Sequence, residues 1–433
     1  MQTLAATSQR RRAWAAVLVF LFPLLSLVSA AGVGLCAMLF VLAQLALLRD
    51  GWSMLRRHWR ATRPVLFAFA TLLALEAARA LALEPSALAS ALEKPLRMLL
   101  AVSAMLLVQV ACPARQWQWL WRGASVAALA GAALAAWQRW GVGLERPGGV
   151  LNPITFGNFA ACLALLSMAA LVDARSLPRA SLALGGALAG MAASLLSGSR
   201  GGWIILVLAT AALCKVSRGR LGKLAFASTL LLLSACWLAP QTGVRQRLSD
   251  GAADISRYLG GDGTATSLSI RLELWKAGLM LARQHPWRGQ STAQYKAQMH
   301  RWVEQGRLGQ AVFAAPEAPH LHNDALQVLV TRGLPGLAAW LATLLLPLRF
   351  FARQLAAAPD GSRGPALAGL LLVLAYASFG LSEVMFWSLK GSLFYALMVF
   401  LLMGASLNAR APRRRAALHL RAVSAVDEPV PAP

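Results

Sequence analysis

Residues 319–348 read PHLHNDALQVLVTRGLPGLAAWLATLLLPL. Six residues bearing two histidines, an asparagine and an aspartate give way to a nearly unbroken apolar run. As an α-helix at about 1.5 Å per residue, a run of this length crosses a hydrocarbon core of roughly 30 Å. It has no strict polar–apolar alternation, so a strand of a β-barrel is the wrong reading. The stretch predicts a membrane-spanning helix that carries its polar groups at its N-terminal end.

Working outward, similar runs lie near 13–30, 32–48, 64–83, 95–111, 119–138, 150–172, 180–196, 198–214, 223–240, 322–348, 365–382 and 390–407. Hydrophobic residues make up 58% of the chain and charged residues 14%, and the mean hydropathy is +0.57. That balance leaves too little polar surface for a soluble chain of 433 residues. The expected fold is an all-α polytopic membrane protein of about 12 transmembrane helices. Residues 1–240 supply the first nine, 241–321 a helical outer loop, 322–407 the last three, and 408–433 a disordered cytoplasmic tail marked by RAPRRR and PVPAP. The basic start Arg10 to Arg12 leads into an apolar run that continues into a second span, which argues against a cleavable signal peptide.

The net charge of +25 does not indicate nucleic acid, because the basic residues sit in short gaps between apolar runs. With the N-terminus inside, alternate gaps hold Arg10 to Arg12, then Arg49, Arg56, Arg57, Arg60 and Arg63, and later Arg175, Arg179, Lys215, Arg349 and Arg353. These gaps and the tail collect more than half of the 42 lysines and arginines, as the positive-inside rule requires for both termini in the cytoplasm. Tryptophans 52, 59, 117, 119, 121, 137, 140, 203 and 387 fall near span ends, where an amphipathic ring favours the headgroup layer. Cysteines 36, 112, 162, 214 and 236 lack paired spacing and read as small core residues.

One gap is far longer than the rest: 241–321, on the outer face. A loop of that size is functional or its own subdomain. Leu268, Leu272, Trp275 and Leu279 share one face of a helix ending near His285-Pro286. Ser291 and Gln294 have capping-box spacing before Tyr295, Met299 and Trp302, the apolar face of a second helix. The loop is expected to pack as a helical cap over the bundle.

The polar residues of the outer face are the candidates for chemistry. His322 stands at a helix start beside the membrane, and a histidine can take a proton near neutral pH, as a general base must. The plain alternative is that Asn323 or Asp324 caps the helix and His322 is merely interfacial. His320 and His322 form an HxH pair with no third ligand evident in the sequence, so no metal is expected. Arg146 in ERPGGVLNP, Arg200 in SGSRGGW, Arg271 in RLELW and Arg288 in HPWRGQ suit an anion, because guanidinium forks match phosphate oxygens. Snorkelling to lipid headgroups is the competing explanation for each. Glu383, at the outer end of the eleventh span, is the carboxylate most apt to pair with them. Glu76 and Arg79, with Lys94 and Arg97, are either a buried pair or a second polar site.

On these residues the chain resembles the O-antigen ligase and polymerase superfamily of bacterial envelope glycosyltransferases, most closely the ligases. His322-Asn323, nine residues, then Gly333-Leu334-Pro335-Gly336 match the ligase pattern, whose histidine is catalytic. Arg200 and Arg271 look like the family's two outer-face arginines, Pro286-Trp287-Arg288-Gly289 like its Pro-x-x-Gly turn, and Asn152-Pro153 with Gly157-Asn158 like its Asn-Pro segment. Arg146 and Gly157 also satisfy an Arg-x10-Gly spacing found in the polymerases, but a second large outer loop is missing.

The resemblance implies a GT-C-like enzyme in the bacterial inner membrane, acting as a monomer without a cofactor, with its active site facing the periplasm. It would transfer O-antigen from undecaprenyl diphosphate to a sugar hydroxyl of lipid A-core, by metal-independent inverting displacement. His322 would be the base, and Arg200 and Arg271 would stabilise the leaving diphosphate. Arg146, Arg288, Asn323, His320 and Glu383 would bind substrate. A repeat-unit polymerase or a protein O-oligosaccharyltransferase would share this chemistry with another acceptor. A lipid or ion transporter should show an internal repeat and charges at mid-membrane, and would leave the outer histidine and arginines unused.

Overall fold

The computed structural model describes residues 2–83, 85–112, 117–216, 220–239, 242–260, 266–313, 320–358 and 362–409. Among them every regular element is helical, and each apolar run falls on a helix. In chain order these are α1 (Gln2–Val28), α2 (Gly32–Leu45), α3 (Leu48–Leu83), α4 (Leu88–Leu100), α5 (Val102–Ala111), α6 (Gln118–Ala136), α7 (Pro153–Val172), α8 (Leu177–Ser197), α9 (Trp203–Val216), α10 (Arg220–Leu238), α11 (Val244–Leu259), α12 (Ser267–Gln284), α13 (Thr292–Glu304), α14 (Asp324–Ala356), α15 (Gly364–Phe379) and α16 (Leu389–Ala409).

Eight helical stretches among the described residues are long and apolar enough to cross a membrane, while Gly32–Leu45, Phe226–Leu238 and Gly364–Phe379 are shorter apolar helices. The protein is a polytopic helical membrane protein, and a count of about 12 requires the shorter helices to cross as well. The expected tail lies almost wholly in residues 410–433, outside those described, as does Pro319. The basic stretch 49–63, expected as a cytoplasmic gap, is instead the first half of α3. At about 1.5 Å per residue a helix of 36 residues is far longer than a bilayer core, so its Arg-rich, Trp-bearing half projects beyond the apolar layer.

Helices α7 and α16 form the centre of the bundle, with 89% of each spanning window buried. Phe159 and Phe394 stack at 4.2 Å between them. Small residues let the helices approach: a Cβ on Gly190 of α8 would lie 2.8 Å from the Ala160 carbonyl of α7, the close packing that replaces the hydrophobic drive inside lipid. Cys36, Cys112 and Cys162 are buried and unbridged, as expected of core residues.

The stretch expected as an outer loop folds into α11, α12 and α13. α13 starts at the capping box of Ser291 and Gln294, and Tyr295, Met299 and Trp302 are buried. They pack with Leu274, Ala277 and Leu281 of α12 and with Leu321 and Val330, giving the cap a core of its own. The buried face of α12 is thus offset from the expected Leu268, Leu272, Trp275 and Leu279; Leu279 is 54% exposed. Periodicity alone could not choose between adjacent faces of a helix that is apolar on both.

The cap is locked to α14 by a break in that helix. Gly333 has φ 67 and ψ −170, which frees two groups from the helical ladder. The Val330 carbonyl accepts from the Gln290 amide at 2.8 Å, and the Leu334 amide donates to the Pro286 carbonyl at 2.7 Å. A Cβ on Gly333 would sit 2.3 Å from the Trp287 carbonyl oxygen, and one on Gly289, at φ 67, would sit 2.5 Å from the Arg332 amide nitrogen. The Gly-x-x-Gly and Pro-x-x-Gly elements are therefore two halves of one joint. We predict that Gly333→Ala and Gly289→Ala each lower thermal stability in detergent by about 2 kcal/mol or more, from the left-handed backbone plus the clash. Gly34→Ala, where a Cβ meets nothing within 4 Å, should leave the melting temperature unmoved.

Candidate active site

Polar groups from the start of α7 and the loop before it, the turn after α8, the start of α12 and the end of α15 converge on one cleft of about 380 Å³. Its lining includes Arg146, Asn158, Ser199, Gly201, Arg271, Ser382 and Glu383.

Local sequence explains how each is presented. Asn152 caps α7, its Oδ1 accepting from the Ile154 amide at 2.9 Å, with Pro153 at the first helical position where a missing N–H costs nothing. Before it, the Gln138 side chain accepts from the amides of Gly148 and Gly149 and so closes the loop that carries Arg146. One turn into α7, Gly157 has no Cβ, and one would collide with Ser197 Oγ at 2.1 Å. The α8–α9 turn can therefore lie against α7, and Ser199 Oγ donates to buried Asn158 Oδ1 at 2.8 Å. α8 ends on left-handed Gly198, and Arg200–Gly202 form a single 3-10 turn. Ser378 Oγ donates to the Gly201 carbonyl at 3.2 Å. The backbone of Arg200 is thus placed between two cleft-lining residues, Ser199 and Gly201.

α12 begins with a capping box of Thr266 and Ser269 and presents Arg271 one turn in. Arg271 Nη2 lies 3.7 Å from Glu383 Oε2. The same carboxylate oxygen is 3.2 Å from His322 Nδ1, and Glu383 Oε1 is 3.9 Å from His320 Nε2. The carboxylate of Glu383, 13% exposed, is therefore the hub of the site. Burial pushes its pKa up, but the His322 hydrogen bond and the charges of His322, His320 and Arg271 outweigh that and hold it below the usual carboxylate value. Burial, together with neighbouring His322, pulls His320 below its usual value. A His322 imidazole that donates Nδ1–H to Glu383 would leave the Nε2 lone pair free, the tautomer a general base needs.

His322 has φ 45, the single non-glycine residue with positive φ among those described. A Cβ-bearing residue there costs roughly 1–2 kcal/mol, and its neighbours sustain it. Asn323 Oδ1 caps α14 by accepting from the Leu326 amide at 2.9 Å, while its Nδ2 donates to the Leu381 carbonyl at 3.2 Å. Asp324 is almost wholly buried; its two carboxylate oxygens each accept at 3.1 Å, from the amides of Met385 and Phe386. Of the two capping alternatives, Asn323 is the cap and Asp324 clasps the segment that bears Glu383.

Ligand atoms of His320, His322 and Glu383 all lie within 4.8 Å of one another. These three could together hold a small cation, and the third ligand that the HxH pair lacked in sequence is Glu383, sixty-one residues away. Arg288 stands apart from this cleft: it is exposed and lines a groove with Glu76, Arg79 and Arg332. Glu76 pairs with Arg332 of α14, not with its helical neighbour Arg79. Arg332 had a readable signal, a lone guanidinium inside an apolar run. Ser199, Ser378 and Ser382 had only the weak signal of small polar residues near span breaks.

Asp324→Ala would leave two buried amides without acceptors, about 1–3 kcal/mol each. We predict a lower melting temperature for Asp324→Ala and an intermediate one for Asp324→Asn, which retains one acceptor oxygen, read by thermal unfolding in detergent.

Residues 184–341, which include Arg200, Arg271, Arg288 and His322, match the family described as O-antigen ligase. The chain is also similar to an uncharacterized protein of Haemophilus influenzae, 25% identical over 319 residues that cover 72% of this chain and 79% of the relative. Over residues 184–341, the stretch that builds the cap and delivers His322 to Glu383, the chain carries the domain of the O-antigen ligase family.

Proposed function

We propose that the protein is an O-antigen ligase of the bacterial inner membrane. It transfers a polysaccharide from undecaprenyl diphosphate to a sugar hydroxyl of lipid A-core at the periplasmic face. The observation that carries this reading is the His322–Glu383 contact of 3.2 Å at the rim of a cleft that also holds Arg146 and Arg271.

His322 Nε2 takes the proton of the acceptor hydroxyl, whose oxygen forms a new bond to the anomeric carbon. The bond from that carbon to the diphosphate oxygen breaks on the opposite side, with inversion, and undecaprenyl diphosphate leaves with the electron pair. Arg271, Arg146 and the Arg200 turn surround the place where that charge develops, and fixed guanidinium groups there lower the barrier. Glu383 serves twice: it orients His322 and stabilises the imidazolium formed when the proton arrives. A base positioned in this way contributes about 10²–10⁴-fold.

In a reconstituted assay with undecaprenyl-diphosphate glycan and lipid A-core, His322→Ala should slow the glycan ladder by that factor, and Arg271→Ala should also be severely impaired. Full activity in His322→Ala would sink the base assignment, and transfer to a second glycan-diphosphate lipid would make the protein a polymerase. Activity should persist with a chelator present. Loss of activity, restored by a divalent ion, would assign His320, His322 and Glu383 to that ion instead.

The depressed pKa of Glu383 fixes the sign of the acid response. Its ion pair is complete above the usual carboxylate range and is lost only as pH falls through the lower folded value. The orientation of His322 by Glu383 should therefore persist at pH values where a free glutamate is already protonated, and Glu383→Gln should remove that acid limb from the pH–rate profile.

A further inference from the structure

A second polar region lies between α3, α4 and α14. A groove of about 420 Å³ is lined by Glu76, Arg79, Arg288 and Arg332 together with Leu72, Leu75, Ala82 and Pro335. It adjoins a smaller pocket that shares Glu76, Arg79 and Arg332 and adds Lys94, Asp324 and Trp387.

The charges in this region do not cancel. Glu76 is taken up by Arg332, and Asp324 by the two backbone amides. Lys94 Nζ donates to the carbonyls of Phe386 and Trp387. Among the described residues no ion pair is formed by Arg79 or Arg288, and Arg79 Nε is buried without a hydrogen-bond partner. A guanidinium with a buried, unanswered N–H at the outer end of a spanning helix is costly unless an anion meets it. Trp287, 68% exposed, and Trp387, 41% exposed, stand at the rim, the position of indoles at a membrane–water boundary. One wall is aliphatic and the other cationic, the chemistry of a phosphorylated amphiphile with its acyl chains toward α3.

We propose that this groove is a second anion site, which holds a sugar phosphate of the acceptor glycolipid while its hydroxyl is presented to His322. This rests on the transferase reading above. In that reading the diphosphate of the donor belongs to the cleft of Arg146 and Arg271, and an in-line displacement brings the acceptor from the opposite side of the reacting carbon. The groove meets α14 at Arg332 and Pro335, the smaller pocket beside it reaches Asp324, two residues from His322, and two guanidinium groups suit a single phosphate monoester.

The test uses the full chain in nanodiscs of zwitterionic lipid, with acceptor glycolipid either intact or enzymatically dephosphorylated. The double variant Arg79→Gln, Arg288→Gln should raise the acceptor KM by about tenfold or more, as expected for loss of charge-assisted hydrogen bonds, with the donor KM unmoved. Wild-type protein given dephosphorylated acceptor should show the same weakening, and the variant no further loss. A rise in donor KM alone, or equal losses on both acceptors, overturns the proposal.

Binding is read separately by native mass spectrometry, which needs no turnover. Wild type should retain the phosphorylated acceptor and the double variant should release it. Displacement by equimolar phosphatidylglycerol would overturn the acceptor assignment in favour of bulk anionic lipid. Retention without any transfer would refute the transferase reading and leave the groove intact. If the double variant unfolds, Arg288→Gln alone, at an exposed position, gives the corresponding half-step.

Discussion

The carboxylate of Asp324, buried at the first turn of α14, accepts hydrogen bonds from the backbone amides of Met385 and Phe386. Two segments sixty-one residues apart are joined there by a buried group, and the two amides it satisfies would have no other acceptor if it were lost. Glu383 lies just before the clasped amides and His322 just before the clasping residue. Their meeting is therefore a consequence of the Asp324 bonds and of Asn323, which caps α14 with one side-chain atom and reaches the Leu381 carbonyl with another. Without this clasp, Glu383 would be a carboxylate on a free connection between spans.

The second constraint is the broken turn at Gly333. A helix in lipid must satisfy its backbone internally unless protein supplies the partners, and here the Pro286–Gln290 turn supplies them. The cap is thus fastened to α14 at the kink, while α12 crosses the start of the same helix closely enough that a Cβ on Gly278 would be 2.6 Å from Leu326. Arg271 on α12 and His322 before α14 are held in one frame, which is what preorganised charge stabilisation requires. The cap works less as a lid than as the rigid carrier of one wall of the cleft.

Two cationic regions with different characters result. The cleft is lined by Arg146, Arg271, Ser199 and Gly201, with Arg271, His320 and His322 meeting on the Glu383 carboxylate. The groove beyond α14 sets Arg79, Arg288, Lys94 and Arg332 against an aliphatic wall. On the transferase reading proposed above, the two regions would serve the two membrane-anchored substrates.

Much of this was legible in the linear sequence because it depends on local chemistry. Long apolar runs become helices wherever backbone groups cannot be left unpaired in lipid, and the capping box of Ser291 and the left-handed turn after α8 follow from the residues at those positions. The candidates His322, Arg271, Arg146 and Glu383 could be named because polar groups at the ends of apolar spans are conspicuous. Their partners could not be. That Glu383 bonds His322, that Glu76 takes Arg332 rather than its neighbour Arg79, and that Arg288 belongs to another groove were decided by how α3, α12, α14 and α15 pack. Spacing along a chain constrains contacts within a turn or two of helix, whereas the distance between helix ends is set by packing, kinks and the few buried hydrogen bonds that tie one span to the next.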